Sequence, residues 1–276
     1  MTRPVACVVG WPVRHSRSRV IHKFWLREFG IDGDYVIEPV EPEKAAAFFR
    51  DLPLGRFVGC NVTVPHKEVA FASVTETGPS ARAIGAVNTI WMEGGQLIGA
   101  NTDATGFIAN LDQEAQIWDK ARGEAVVLGA GGAARAVVWA LVDRGFGAVH
   151  VVNRTVDRAN ALAGSLGKAV KPAGWDSLPK LLRSADVLVN TTTLGMRGQP
   201  DLEIDLTPLK PSALVTDIVY VPLVTPLLAA GRARGLHTVD GLGMLLHQAA
   251  PGFQKWFGRR PNVTPALRNA VLATMG

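Results

Sequence analysis

Lys67 ends the segment Gly59-Cys60-Asn61-Val62-Thr63-Val64-Pro65-His66-Lys67, where a strand-like run passes into a helical one. A cation is disfavoured near a helix N-terminus, so this ammonium either points into solvent or is held by a carboxylate. Asp103, in Gly99-Ala100-Asn101-Thr102-Asp103-Ala104-Thr105-Gly106, is a candidate partner. It reads equally as a helix N-cap, and spacing alone does not pair it with Lys67. Nearer the N-terminus, Ser16 and Ser18 stand two residues apart in Gly10-Trp11-Pro12-Val13-Arg14-His15-Ser16-Arg17-Ser18, between a strand and a helix. Two hydroxyls at a helix start suit an anionic group such as a carboxylate, and an ordinary N-cap role for Ser18 fits as well.

The most specific pattern lies further along. Ala125-Val126-Val127-Leu128 runs into Gly129-Ala130-Gly131-Gly132-Ala133-Ala134, the strand, glycine turn and helix start of a dinucleotide fingerprint. Gly129 permits the tight turn, Gly131 lets the backbone approach a pyrophosphate, and Ala134 is small where helix and sheet pack. Ala130, Gly132 and Ala133 complete the turn, and the helix N-terminus faces the anion. At the end of the next strand an NAD site carries an acid for the ribose hydroxyls; here the residue is Asn153, followed by Arg154, Thr155 and Arg158. A guanidinium and polar donors without a carboxylate suit a 2′-phosphate, so NADP is the expected cofactor. A solvated surface arginine is the other reading of Arg154, and Arg158, one turn into the helix, is the more ambiguous of the two.

The elements that must position these residues fall into two sets. From about residue 124, short β-branched runs (Ala125 to Leu128, Val149 to Val152, Val187 to Asn190, Leu214 to Val219, Leu236 to Val239) alternate with helical patterns. The clearest helix spans Gly132 to Arg144 and stops at Gly145. That alternation predicts βαβ units and a parallel sheet covered on both faces. The first hundred residues predict a different α/β unit: strand Val5 to Val9, helix Ser18 to Phe29, strand Tyr35 to Val40, helix Glu43 to Leu52 and strand Phe57 to Val64. A hairpin of Ala86 to Met92 and Gln96 to Asn101 about Gly94-Gly95 makes the sheet mixed. The C-terminal stretch is helical from about Leu242 through Phe257, and again from Pro265 behind an N-cap at Thr264.

Composition bounds the answer. The chain has 276 residues, 47% hydrophobic and 19% charged, which predicts about two folded domains. No apolar run is long enough to suggest a membrane span. The balance of 29 basic and 24 acidic residues gives +5, spread without a basic tail or long like-charge run. That favours anionic small molecules over a phosphate-backbone partner, so neither nucleic acid nor membrane is expected. Cys7 and Cys60 lie in apolar runs and read as buried free thiols, consistent with a reducing cytoplasm. The N-terminal apolar stretch is broken by Gly10 and Pro12, runs into Arg14, Arg17 and Arg19, and does not read as a signal peptide.

Taken in register, eight segments resemble the shikimate/quinate dehydrogenase family over nearly the full length. They are GWPVRHSRS from Gly10, GCNVTVPHK from Gly59, GAVNT from Gly85, GANTDATG from Gly99, GAGGAARA from Gly129, NRT from Asn153, Asp217-Ile218-Val219-Tyr220 with Pro222, and DGLGMLLHQAA from Asp240. The resemblance implies an N-terminal substrate-binding α/β domain with a mixed sheet, residues 1–103 completed by 243–276. It further implies a Rossmann-type, doubly wound parallel-sheet NADP-binding domain over 104–242. It implies NADPH-dependent reversible reduction of 3-dehydroshikimate to shikimate on the way to chorismate and the aromatic amino acids. Lys67 is then the catalytic residue, with Asp103 beside it at the substrate hydroxyls. Ser16 and Ser18 hold the substrate carboxylate, while Thr63, Asn88, Tyr220 and Gln248 complete the ring contacts. Asn190, Ile218 and Gly241 lie near the cofactor. No metal is implied, and the molecule is expected as a monomer or homodimer.

The chemistry agrees with those roles. Hydride transfer to a ketone builds negative charge on oxygen, which an ammonium can stabilise and protonate. A neighbouring carboxylate favours the charged lysine, and a cleft between two domains is the natural place to bring the reactants together. Two departures stand out: the family's usual Ser-Pro and His-Asn are Ser18-Arg19 and His22-Lys23 here, which puts substrate preference in question. Thr193 also stands where the family more often has serine. An enzyme of the same family that oxidises quinate or uses NAD is the first rival reading. A non-catalytic dinucleotide-sensing or nucleic-acid-binding module is the second.

Overall fold

The computed structural model describes residues 3–275. They divide into two compact units, one of residues 3–102 and 246–275, the other of residues 103–245.

In the first unit the chain runs β1 (Val5–Gly10), α1 (Ser18–Glu28), β2 (Asp34–Pro39), α2 (Ala45–Asp51), β3 (Phe57–Val62), α3 (Lys67–Ser73), β4 (Glu76–Thr77), α4 (Pro79–Ile84), β5 (Thr89–Glu93) and β6 (Gln96–Ala100). The six strands form one sheet in the order β2-β1-β3-β5-β6-β4. Its β2, β1 and β3 are parallel and β5 runs antiparallel to both β3 and β6, so the sheet is mixed as expected. Gly94 and Gly95, at φ +59° and +80°, make the hairpin turn that joins β5 to β6. Cys7 and Cys60 face each other across β1 and β3 in a core with Val9, Phe49, Val62 and Ile90, and burial pushes the Cys7 thiol well above its ordinary pKa.

The second unit holds α5 (Asp103–Glu114), β7 (Glu124–Leu128), α6 (Gly132–Asp143), β8 (Ala148–Val152), α7 (Val156–Leu166), β9 (Val170–Ala173), α8 (Leu178–Leu181), β10 (Val187–Asn190), β11 (Leu214–Asp217), α9 (Pro226–Ala233) and β12 (His237–Val239). Its six strands are all parallel, in the order β12-β11-β10-β7-β8-β9. The order reverses direction between β7 and β10, which is the switch point of a doubly wound sheet. Every residue of β10 and β11 is buried, which is why these strands read as continuous apolar runs instead of alternating ones.

The chain continues through α10 (Leu242–Phe257), whose residues from Leu246 belong to the first unit, and ends in α11 (Pro265–Leu272). Thr264 caps α11 by accepting the Leu267 N–H at 3.2 Å. Phe253 of α10 packs against Trp25, and Trp256 donates its indole N–H to the Ile90 carbonyl at 2.9 Å.

Several boundaries differ from those the sequence predicts, each for a local reason. The expected helix Glu43 to Leu52 has tight 3-10 turns at both ends, with Pro42 and Pro53 in them. Strand β5 starts at Thr89 instead of Ala86, because the Val87 and Asn88 N–H groups bond to Lys67 and Ala100 carbonyls. Strand β11 stops at Asp217 instead of Val219, because the Val219 N–H turns back to the Asp217 side chain. The edge strands β4 and β9 carry too little pattern to be seen in sequence, and Pro172 argues against β9 except at an edge. Among the described residues, no helix is long and apolar enough to cross a membrane.

Candidate active site

In the first unit, Ser18 is the first residue of α1, and the N-cap position belongs to Arg17, which makes no side-chain cap. The capping reading of Ser18 therefore fails. Ser16 Oγ instead accepts the Ser18 N–H at 3.3 Å. Arg19 is exposed, whereas Lys23 pairs with Asp34 at 3.0 Å and ties α1 to β2. Burial opposes ionisation of Asp34, but Lys23 and the Tyr35 N–H hold its carboxyl below the usual range. Thr63 follows β3, its N–H on the Val9 carbonyl at 2.9 Å. Lys67 is half-buried at the first position of α3, and its carbonyl accepts the Val87 N–H at 2.9 Å. The preceding His66 is buried and donates Nε2–H to the Val40 carbonyl at 2.7 Å, which fixes where α3 starts.

Asn88 is the polar centre of this unit. The Thr102 N–H meets its side chain at 2.8 Å, and since a backbone N–H only donates, the atom there must be Oδ1. The Thr89 and Thr102 hydroxyls each lie 3.0 Å from the same oxygen. Asn88 Nδ2 is thereby turned toward Gln248 Oε1, 3.4 Å away, and the Thr102 hydroxyl donates to the Gln248 carbonyl at 2.8 Å. Both amides are thus oriented, Asn88 donating through Nδ2 and Gln248 accepting through Oε1 with Nε2 as its donor end. Asp103 follows Thr102 directly, is buried, and opens α5 of the second unit.

Behind Asn88 lies a second polar layer that the sequence does not reveal as a unit. Asn61 Oδ1 accepts the Tyr35 O–H at 2.7 Å and the His22 Nε2–H at 3.2 Å. Its Nδ2 donates to the Asn88 carbonyl at 3.3 Å and to Thr89 Oγ1 at 3.2 Å. The His22 ring stacks on Tyr35 with centroids 4.0 Å apart, and its Nδ1 is buried with no hydrogen-bond partner. A second proton would have no acceptor there, so the ring is neutral, and burial lowers its pKa to about 3. Burial likewise pushes the Tyr35 phenol well above its ordinary value.

At its glycine fingerprint the second unit builds with backbone. Gly129 sits at φ +102°, and a Cβ there would lie 3.0 Å from Thr191 Oγ1 and Thr192 Cγ2. A Cβ on Gly131 or Gly132 would meet nothing within 4 Å, so the turn is open, and the Gly131 N-cap of α6 carries no side-chain cap. Ala130 and Ala133 are half-buried alongside. The first N–H groups of this twelve-residue helix are left for an anion. Asn153, after β8, folds its Nδ2–H onto the Thr155 carbonyl at 2.8 Å, and Arg154, Thr155 and Arg158 are exposed. No ion pair among the described residues uses Arg154 or Arg158. Open glycines at a helix start beside exposed guanidinium groups fit a dinucleotide that carries a further phosphate.

On the other side of the switch point, Asn190 ends β10 fully buried. Its Oδ1 accepts the Thr192 N–H at 3.0 Å and its Nδ2 reaches the Asp217 carboxylate at 3.0 Å. Ile218 gives its N–H to the Asn190 carbonyl at 3.1 Å, and a Cβ on Gly241 would drive into the Ile218 carbonyl, so only glycine fits. Tyr220 follows, half-buried.

Three family models match the chain in order: shikimate dehydrogenase substrate binding domain over residues 8–90, shikimate/quinate 5-dehydrogenase over 113–200, and shikimate 5′-dehydrogenase C-terminal domain over 241–272. A protein of Nitrobacter winogradskyi named shikimate dehydrogenase (NADP(+)) is 56% identical over 99% of this chain and 98% of its own length. The chain belongs to the shikimate/quinate dehydrogenase family. Among solved structures, the Thermus thermophilus shikimate 5-dehydrogenase in complex with NADP(H) and shikimate superposes with a TM-score of 0.86 and 36% identity, covering 98% of this chain and 99% of that one. The Corynebacterium glutamicum quinate dehydrogenase in complex with NAD reaches 0.89 at 29% identity, covering 98% and 99%. Members of the family with different names on substrate and cofactor thus share this fold equally well.

The sequence pointed to candidate ligand-facing residues but not to the partners bonded to them or to their neighbours: Tyr35, Thr89, Thr102 and Asp217. The available signal was polarity inside apolar strands. Asn61 in β3, and Asp217 closing Leu214-Val215-Thr216, are out of place in a core strand unless something is bonded to them.

Proposed function

We propose that this enzyme catalyses the NADPH-dependent reversible reduction of 3-dehydroshikimate to shikimate, in chorismate and aromatic amino acid biosynthesis. The observation that carries the reading is full-length identity of 56% to a relative of that name. The first unit with the C-terminal helices serves as the substrate unit and the second as the NADP unit. The enzyme acts on small molecules in the cytoplasm, as a monomer or homodimer.

Bound NADPH supplies the hydride to the carbonyl carbon. As charge builds on the carbonyl oxygen, the Lys67 ammonium stabilises it and delivers the proton, so ketone, hydride and proton become the alcohol. In reverse, neutral Lys67 takes that proton. Asp103 accepts the single proton of a ring hydroxyl. Neighbours of that hydroxyl must then be donors, which Asn88 Nδ2 and Gln248 Nε2 are. Ser16 and Ser18 hold the substrate carboxylate, with Thr63 and Tyr220 completing the contacts. In the other unit, the α6 N-terminus with Gly129, Ala130, Gly131, Gly132 and Ala133 holds the pyrophosphate. Asn153, Arg154, Thr155 and Arg158 hold the 2′-phosphate, and Asn190, Ile218 and Gly241 line the nicotinamide end.

A four-way turnover assay tests the reading, with shikimate or quinate against NADP or NAD, followed by nicotinamide absorbance. Fast reduction with shikimate and NADP is expected. Preferred turnover with quinate or NAD would favour the alternative that the likeness to the quinate enzyme keeps open, with Arg19 as the first residue to revert. Absence of turnover with all four pairs would overturn the enzymatic reading.

A further inference from the structure

Asp217 is a buried carboxylate that the reaction above leaves unused. It is fully buried at the end of β11, and its hydrogen-bond partners are all neutral. Oδ1 accepts the Asn190 Nδ2–H at 3.0 Å and the Val219 N–H at 2.9 Å, and Oδ2 accepts the Thr225 O–H at 2.8 Å. Thr225 uses a lone pair to cap α9 through the Leu228 N–H, which leaves its proton for Asp217. Every partner therefore donates, and none waits for an acid proton. The arrangement satisfies a carboxylate, not a carboxylic acid. Burial raises the pKa of this group, and the three donors oppose that rise. A charge buried without a counter-ion is costly, so a compensating use is worth seeking.

Its place in the sheet supplies one. Arg154 and the fingerprint put the adenosine half of a dinucleotide over β7 and β8. The chain order reverses at β7 and β10, so the nicotinamide half falls at the strand ends of β10 and β11, where Asp217 lies. The nicotinamide ring is positively charged when oxidised and neutral when reduced. A fixed negative charge in a low-dielectric wall favours the first form. We propose that Asp217 is an electrostatic residue of the cofactor site, a fixed buried charge that strengthens binding of oxidised relative to reduced cofactor. This rests on the NADP reading of the second unit.

The test is direct binding of NADP+ and of NADPH, without substrate, by calorimetry and by nicotinamide fluorescence. Asp217→Asn keeps the shape and the two bonds at Oδ1 while removing the charge, and Asp217→Ser is a second charge-free variant should the first not fold. The expected result is at least a fivefold rise in Kd for NADP+ divided by Kd for NADPH. Thr225→Val keeps the charge and strips one bond from it, so its ratio stays at or below the native one. Equal weakening of both cofactor forms in the charge-free variants would mean a structural role and overturn the proposal, as would an unchanged ratio. A raised ratio in Thr225→Val would do the same. Because substrate takes no part, failure to turn over shikimate would count against the function alone.

Discussion

The surroundings of Asn88 in the first unit and the glycine fingerprint in the second are built from different material. In the first, side chains satisfy one another: Asn61 holds His22, Tyr35 and Thr89, and Asn88 is oriented by Thr89 and Thr102. In the second, the fingerprint is backbone, a glycine turn and a helix N-terminus, with exposed arginines beside it. A pyrophosphate is met by N–H groups that nearly any sequence provides once the turn forms. A ring with several hydroxyls needs donors and acceptors in one fixed order, and only interlocked side chains supply that. The difference teaches that single substitutions should fall harder around Asn61 and Asn88 than at the fingerprint turn.

Four measurements bear on that contrast, from the largest expected effect to the smallest. Lys67→Ala is expected to lower kcat by about 10² to 10⁴ while leaving NADPH affinity nearly unchanged. A kcat close to native would remove Lys67 from the chemistry. Asn61→Leu strands the Tyr35 O–H and the His22 N–H in the core, which should cost about 2 to 5 kcal/mol in urea unfolding. A loss below about 1 kcal/mol would show that the network orients nothing. In the second unit, Arg154→Ala should weaken NADPH use by about 10- to 100-fold and NADH use hardly at all. Equal losses with both cofactors would make Arg154 structural.

The smallest effect near neutral pH is the pH dependence from His22, which grows as the pH falls. Its folded pKa of about 3 lies below the ordinary 6.5, so the unfolded chain binds the extra proton more readily. The stability that this neutral ring contributes is complete above pH 6.5 and declines as pH falls toward 3, by about 1.4 kcal/mol per unit. Urea unfolding at successive pH values should show this slope in the native protein and not in His22→Leu. An identical slope in both would assign acid sensitivity to other groups.

Much of the fold was legible in the sequence. The β-branched runs after residue 124 gave the all-parallel sheet, and Gly94-Gly95 gave the hairpin that makes the other sheet mixed. Edge strands β4 and β9 were not legible, since two residues, or four interrupted by Pro172, carry no usable period. The serine pair was only half legible. Whether Ser18 caps its helix depends on where the first helical residue falls, and α1 begins one residue earlier than that role requires. His22-Lys23 looked like a change near the site, but Lys23 is engaged with Asp34.

By itself the sequence determined which residue types stand at which turns. Gly129, Gly131 and Arg154 are what made a phosphate-bearing dinucleotide the expectation, because steric room and charge at one βα turn are local properties. Tertiary structure alone decided the orientation of the groups: which way the Asn88 amide faces, which ring nitrogen of His22 carries its proton, and that the Asp217 carboxylate is met by three donors. Those choices are made by hydrogen bonds between residues up to 160 positions apart in the chain. Burial makes an unmet donor or acceptor too costly to leave, and only the folded chain brings the partners within reach.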